Sequence, residues 1–239
     1  MSEWIYGRHA VVGVLTAGRR RSNQLFLLHD KGEEALSALA KQHQVPVQVV
    51  PPAFFSKRLP AGSVHQGVLL EAEPYSYVAF EELLDCTGLL LLDEIQDPQN
   101  LGALIRSALL LGMGGVVISS VRGAGVEGGC LKASSGACEL LPIARVSSIA
   151  NALERLKEHG FWSYGADPGA TKLLYDEVFP AKVALVIGNE GKGLRHLVKE
   201  RCDILLQIPM KAAEGVDSLN ASVTGAIMGY ELARQRGKK

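Results

Sequence analysis

Residues 183–236 constrain the fold more than any other stretch: they read VALVIGNEGKGL, then ILLQIPM, then SLNASVTGAIMGYELARQR. Two apolar runs each end in a loop of Gly, Asn, Glu, Ser and Pro, and each loop leads into a helical pattern. A strand that feeds a helix through a polar loop belongs to an α/β sheet, and such sheets hold ligands outside the carboxyl ends of their strands. Asn189, Glu190, Ser218, Asn220 and Ser222 are therefore expected along one rim. Asp97-Pro98-Gln99-Asn100, leading to Arg106, reads as a third edge of the same kind.

The rest of the chain alternates strands and helices in the same way. Residues 7–15 and 33–42 have helical patterns, 24–28, 45–50 and 68–71 read as strands, and 54–59 as a short helix. Together they make a small α/β unit over residues 1–71, followed by a linker at 72–84, where Pro74-Tyr75-Ser76-Tyr77 breaks the periodicity. The second unit, 85–239, opens with GLLLL at 88–92, a continuous apolar run of the buried parallel type. Further strands are expected at 116–119, 141–146, 161–166, 183–187 and 204–208, which makes six in all. Helices are expected at 101–111, with Asn100 as its N-cap, at 132–137, 148–159 and 194–200, and at 219–236, with Ser218 as a cap. The prediction is a parallel sheet with helices on both faces. On the last helix Ala221, Gly225, Gly229 and Ala233 recur every four residues, which permits close approach by a neighbouring helix.

Composition narrows the function classes. The 239 residues carry 25 Lys and Arg against 25 Asp and Glu, so the net charge of zero argues against a generic polyanion binder. A local basic patch remains open, at Arg19-Arg20-Arg21 or in the tail with Arg234, Arg236, Lys238 and Lys239. Four scattered cysteines form no C-x-x-C pair, so neither structural zinc nor another metal site is expected. The longest apolar runs fall far short of the roughly 20 residues that span a bilayer, and a cytoplasmic protein is expected. A dinucleotide site is disfavoured: the first turn of the larger unit, residues 93–98, has no glycine, and Glu190 stands where a pyrophosphate would sit. Arg106, in the apolar stretch LGALIRSALLLG, either snorkels to the surface or is held for a function, and its fork suits phosphate.

The segments DPQNLGALIRSA (97–108), LVIGNEGKGL (185–194) and IPMKAAEGVDSLNASVTGAI (208–227) resemble the three signature motifs of the SpoU (TrmH) family of RNA 2'-O-ribose methyltransferases. IYGRHAV near the start and VHQGV at 64–68 resemble the substrate-binding domain of the bacterial 23S ribosomal RNA guanosine methyltransferases, so the likeness spans the chain. It implies a C-terminal domain of SPOUT type, tied in a deep trefoil knot, with a small N-terminal α/β domain that binds RNA. It further implies S-adenosyl-methionine as methyl donor, no metal, a homodimer, 23S ribosomal RNA as partner and no membrane.

By motif position, Gly188, Ile208 and Leu219 would contact the methyl donor, with Ile187, Met210 and Ser218 nearby. Arg106 would act on the target ribose and its phosphate, and Asn100, Glu190, Ser218 and Asn220 would organise the site. Arg8, His65 and Gln66 would meet RNA on the N-terminal domain. Because a guanidinium keeps its proton, Arg106 is expected to clamp phosphate and stabilise alkoxide charge rather than act as a base. Two departures bear on the RNA target: the loop at 209–217 is about two residues longer than in the closest ribosomal RNA enzymes, and Asn189 stands where some of them carry Ala. Transfer RNA is the alternative substrate, and a non-catalytic ribosomal-RNA-binding module of the same fold is the alternative function. In the last helix, the small-residue face would become part of a dimer contact.

Overall fold

In the computed structural model residues 2–29, 33–211 and 218–237 are described. Lys238, Lys239 and most of the 209–217 loop, both singled out in the sequence, lie outside them. The chain folds as two sheets in sequence. The first holds β1 (Glu3–Tyr6), α1 (Arg8–Ala17), β2 (Ser22–Leu27), α2 (Glu34–Gln42), β3 (Val47–Val49), α3 (Pro52–Ser56) and β4 (Val68–Ala72), with strand order β1-β4-β2-β3. Sequence periodicity misses β1. Its four residues are too few to show a period, and its partner β4 lies more than 60 residues away, with Glu3 opposite Ala72.

The second sheet carries β5 (Gly88–Leu92), α4 (Pro98–Leu110), β6 (Gly115–Ser119), α5 (Gly128–Ala133), α6 (Ala137–Leu140), β7 (Ile143–Val146), α7 (Ile149–Glu158), β8 (Trp162–Ala166), β9 (Lys172–Leu173), β10 (Val183–Ile187), α8 (His196–Arg201), β11 (Ile204–Gln207) and α9 (Ala221–Arg236). All six strand pairings are parallel, in the order β7-β6-β5-β10-β8-β11-β9. The parallel sheet is the one the apolar runs predict. The two-residue β9 makes seven strands where six were expected.

Alternation along the central strands sorts their side chains into two cores. Leu90, Leu92, Val116, Ile118, Leu185 and Ile187 face α4 and α9, while Leu89, Leu91, Val117, Ala184 and Val186 face α7 and α8. Every residue of β5, β6 and β10 is buried. At about 1.5–3 kcal/mol for each large apolar side chain, these strands anchor the domain.

Three local expectations change. Asp97, not Asn100, caps α4: its carboxylate accepts from the Gln99 N–H at 3.0 Å, and Pro98 fills the first helical position. Asn220, not Ser218, caps α9, its Oδ1 accepting from the N–H groups of Ser222 and Val223. The expected helix at 132–137 is broken between α5 and α6, where Ser135 (φ 52°) and Gly136 (φ 86°) turn left-handed.

The small-residue stripe of α9 also has a different partner. Gly225 and Gly229 are buried against α4 and the turn after it, within the same chain. A Cβ on Gly225 would stand 2.3 Å from Leu104 Cδ2, and one on Gly229 would stand 3.0 Å from Leu111 Cδ1. The face of α9 left open to solvent carries Val223 and Tyr230 instead.

The two units share a core through α1, which lies on α5 and α6. At the crossing a Cβ on Gly13 would come 2.7 Å from Gly136 Cα, so two glycines let the backbones touch. Beside it Arg20, expected in a surface patch, is buried. Its guanidinium pairs with Glu139 of the second unit and with Glu3 (2.6 Å), and it donates to the Glu73 carbonyl at 3.1 Å. Burial alone would lower the Arg20 pKa, but the two carboxylates hold it above its ordinary value. In the connecting segment, Tyr75 Oη donates to the Cys138 carbonyl at 3.0 Å and Val78 bridges Ala144. Truncating one member of a buried ion pair strands the other, so Glu139→Ala is expected to cost about 3–5 kcal/mol in urea unfolding. The same change at Glu154, in the exposed pair with Arg201, should cost far less.

Candidate active site

Three neighbouring strands, β10, β8 and β11, end on one edge, and the segments after them, with the start of α9, line a cavity of about 500 Å³. Its wall includes Ala166–Gly169 after β8, Ile187–Leu194 at and after β10, Leu206, Ile208 and Met210 at β11, and Ser218, Leu219, Ala221 and Thr224 at the start of α9. Six residues expected to hold the methyl donor thus line one space: Ile187, Gly188, Ile208, Met210, Ser218 and Leu219. Glu190 lines it too. Apolar walls carry two carboxylates, Asp167 and Glu190, and two lysines, Lys192 and Lys199.

The loop after β10 is fastened to itself. Asn189 and Gly193 exchange backbone hydrogen bonds (3.0 and 2.9 Å), while Asn189 Oδ1 accepts from the Gly191 and Lys192 N–H groups. The Asn189 amide nitrogen reaches the Glu94 carbonyl at 2.9 Å and so ties this loop to the one after β5. Gly188 sits where a Cβ would stand 2.2 Å from the Gly193 carbonyl carbon, so no side chain fits there. Asp93, fully buried at the end of β5, takes the Arg195 N–H at 3.0 Å and its guanidinium at 2.8 and 2.5 Å. Neither Asn189 as a fastener nor Asp93 as an anchor is apparent from sequence spacing. The only hint was that Asn189 departs from the Ala of some relatives.

The structure brings three expected residues into one hydrogen-bonded chain. Asn220 Nδ2 donates to Asn100 Oδ1 (3.1 Å), and Asn100 Nδ2 donates to Glu190 Oε1 (2.9 Å). Asn100 can do this because Asp97 has taken its place as cap. Ser222 Oγ donates to Asn220 Oδ1 at 2.6 Å, fixing the amide's orientation. Arg106 is not in this chain. Six residues beyond Asn100 on α4, about 9 Å along the axis, it is exposed and its Nη1 donates to Ser135 Oγ at 3.2 Å. Among the described residues it pairs with no carboxylate, unlike Arg8, Arg20, Arg155, Arg195, Arg201 and Arg234. Its charge stays available to an anion.

On the cavity wall, Lys199 pairs with Asp167 at 2.6 Å. Burial would raise the Asp167 pKa, but the bonds from Lys199 and from the Gly169 N–H outweigh it and hold the group below its usual range. Asp167 is therefore a carboxylate at neutral pH. Burial pushes the thiols of Cys138 and Cys202 up to about 11 and about 12, which rules both out as thiolate nucleophiles at neutral pH.

The residues expected to meet RNA on the first unit have local duties. Gln66 Oε1 accepts from the Arg8 N–H at 3.0 Å at the start of α1, His65 stacks on Phe55 at 4.4 Å and takes the Gly67 N–H on Nδ1, and Arg8 pairs with Glu33. These contacts shape the turn that starts α1. Among the described residues no group of three or more His, Cys, Asp or Glu is arranged to hold a metal ion, and no helix is long and apolar enough to cross a membrane.

Comparison with known proteins gives the same reading over the whole chain. Residues 88–230 match the profile of the SpoU rRNA Methylase family, and residues 4–78 match that of RNA 2'-O ribose methyltransferase substrate binding. The TrmH family tRNA/rRNA methyltransferase YacO of Bacillus subtilis is 36% identical over 98% of this chain and 96% of its own length. The 23S rRNA (guanosine-2'-O-)-methyltransferase RlmB of Escherichia coli is 35% identical over 99% of this chain and 100% of its own. Among solved structures, the SpoU methyltransferase AviRb of Streptomyces viridochromogenes superposes with a TM-score of 0.84 at 22% identity, covering 99% of this chain and 90% of that one. An AdoMet-bound rRNA methyltransferase from Sinorhizobium meliloti gives 0.80 at 22% identity, covering 98% and 87%.

The loop geometry can be tested without any ligand. Gly188→Ala must push the Gly193 backbone aside, at an expected cost of about 1–3 kcal/mol in urea unfolding. Faster hydrogen exchange at the Asn189 and Gly193 amides should accompany that loss.

Proposed function

The chain belongs to the SpoU rRNA methylase family, and from that membership we propose that it moves a methyl group from S-adenosyl-methionine to a ribose 2'-hydroxyl of 23S ribosomal RNA, at a guanosine, in the cytoplasm. The observation that carries this reading is the meeting of the three motifs: six expected donor-binding residues from the second and third line one cavity, and Asn100 of the first is hydrogen-bonded to Glu190 on its wall and to Asn220.

The cavity fits such a donor. Ile187, Leu194, Leu206, Ile208 and Leu219 offer apolar surface to an adenine, and Glu190, which makes no ion pair among the described residues, offers a carboxylate to a cationic ligand. The side-chain-free backbone at Gly188 lets a ligand lie close against the loop. When bound, the donor supplies a methyl group on a sulfonium, which leaves as a neutral thioether and needs no metal. Positioning is then the protein's main task, and it can supply on the order of 7–11 kcal/mol.

Arg106 grips the phosphate next to the target ribose with its bidentate fork and stabilises negative charge developing on the 2'-oxygen. Because a guanidinium does not give up its proton in this pH range, the 2'-hydroxyl proton passes to the phosphate oxygen or to water. Asn100, oriented by Asn220 and Glu190, fixes the angle at which α4 presents Arg106, and Ser218 sits on the cavity wall beside them.

Two further elements belong to this reading. The chain end threads through an earlier loop to form the trefoil knot of the family, supported by the return of α9 from the β11 side to α4 and Ile187. The protein acts as a homodimer through the open apolar face of α4 and α9, where Ala103, Val223, Ala226, Ile227 and Tyr230 line a shallow groove.

Arg106→Ala is expected to lower transfer of tritiated methyl to 23S ribosomal RNA at least a hundredfold, by the roughly 3 kcal/mol that one charge-stabilising contact supplies. Calorimetric affinity for S-adenosyl-methionine should stay within about twofold, and normal turnover in that variant would refute the role given to Arg106. Tyr230→Glu should convert a dimer to a monomer on size-exclusion chromatography with light scattering.

A further inference from the structure

The domain junction holds a second cavity of about 510 Å³, separate from the one at the strand ends. Trp4 and Tyr6 of β1, Arg58, Tyr75, Tyr77 and Glu127 line it, so both units and the segment between them contribute. All four aromatic residues are half-buried. The Tyr75 and Tyr77 hydroxyls are already bonded, to the Cys138 carbonyl (3.0 Å) and to the Val126 N–H (2.9 Å). Tyr75 and Tyr77 meet edge to face, 5.1 Å apart. Arg58 is exposed, with its guanidinium 3.5 Å from the Phe54 ring centre and 5.2 Å from that of Trp4.

From these groups we infer that the junction cleft binds an unpaired nucleobase of the RNA whose ribose is methylated. Shape selects the occupant. Glu3 is taken by the Arg20 guanidinium and Arg145 lies over the Tyr77 ring, so ring faces and the Arg58 guanidinium plane, rather than net charge, favour a flat group. Aromatic rings and a guanidinium plane are the surfaces on which unstacked bases settle, and a carboxylate such as Glu127 accepts from a base amino group. Continuity with the active site points to the same ligand. The cleft ends at Gly128, and a Cβ on the next residue, Gly129, would stand 3.3 Å from Pro98, two residues before Asn100. The cleft thus adjoins the start of α4, within reach of an RNA strand whose ribose lies at Asn100. The buried Arg20–Glu139 pair holds the two walls in fixed relation.

This inference rests on the methyltransferase reading, and the test separates the two. The chain has two tryptophans, so Trp162→Phe, on the far side of the second unit's sheet order from the cleft, leaves Trp4 as the only reporter. A single-stranded 12-nucleotide RNA should quench Trp4 fluorescence saturably, and its blunt duplex should do so several-fold more weakly. Adding Arg58→Ala should weaken the single strand about tenfold and raise the RNA KM of methyl transfer to a similar extent. kcat at saturating RNA and calorimetric affinity for S-adenosyl-methionine should not change. Normal methylation without quenching, or equal quenching by duplex, would overturn the cleft assignment. Quenching by single strand in a protein that methylates no RNA would leave the cleft standing and overturn the methyltransferase reading.

Discussion

The structure depends on burying β5 and β10 from both sides. A parallel strand pair flanked by helices has no wet face, so neither strand offers a position for a polar side chain, and the chain supplies none from 88 to 92 or from 183 to 187. Polar chemistry is thereby confined to the strand ends, and parallel strands put those ends on one edge. Between β5 and β10 the strand order reverses, with β6 and β7 to one side and β8, β11 and β9 to the other. Open α/β sheets bind ligands beside such a reversal, and here the cavity lies next to it, between the segments after β10, β8 and β11, while Asn189 ties the loops after β5 and β10 together. The Asp93 N–H, the first residue past β5, bonds the Ile187 carbonyl at 2.8 Å, so the ladder holds up to the cavity itself.

Rigidity at the cavity comes from side chains spent on loops. Asn189 fastens its own turn and grips the neighbouring loop, Asp93 holds Arg195, and Asn220 caps a helix while orienting Asn100. Asn189 and Asp93 do so with groups that are half-buried or buried, where water cannot compete freely, which makes these bonds more directive than surface ones. Arg106 has the opposite circumstances. It stands in solvent against a neutral hydroxyl, with its charge uncommitted, where a partner arriving from outside can take it.

Much of this was legible in the sequence for a physical reason: five-residue apolar runs tell of two-sided burial wherever they occur, and the polar residues after them mark the rim. The strand order was not legible, because adjacency of β5 and β10 across 90 residues depends on how helices pack and not on either run. Short elements were lost for want of a period, as with β1 and β9. Asp97 and Asn100 are both good caps by residue type, and only Pro98 at the first helical position decides between them. Arg20 looked like surface because three arginines in a row usually are, and its burial depends on Glu139, 119 residues away. The stripe on α9 was read correctly as close packing, but spacing says nothing about whether the neighbour belongs to the same chain.

The hydrogen bond from Asn220 to Asn100 joins residues 120 positions apart. During synthesis at about 5–20 residues per second, roughly 6–24 s separate the appearance of the two. Through most of that interval β10 itself is unmade, and once it appears there is still no α9 to cover its face, complete the wall of the cavity or orient Asn100. Competence therefore arrives late and all at once, with the emergence of the final helix. A fragment ended early by a stalled or broken message would leave one face of the sheet uncovered and carry no finished cavity with which to compete for methyl donor.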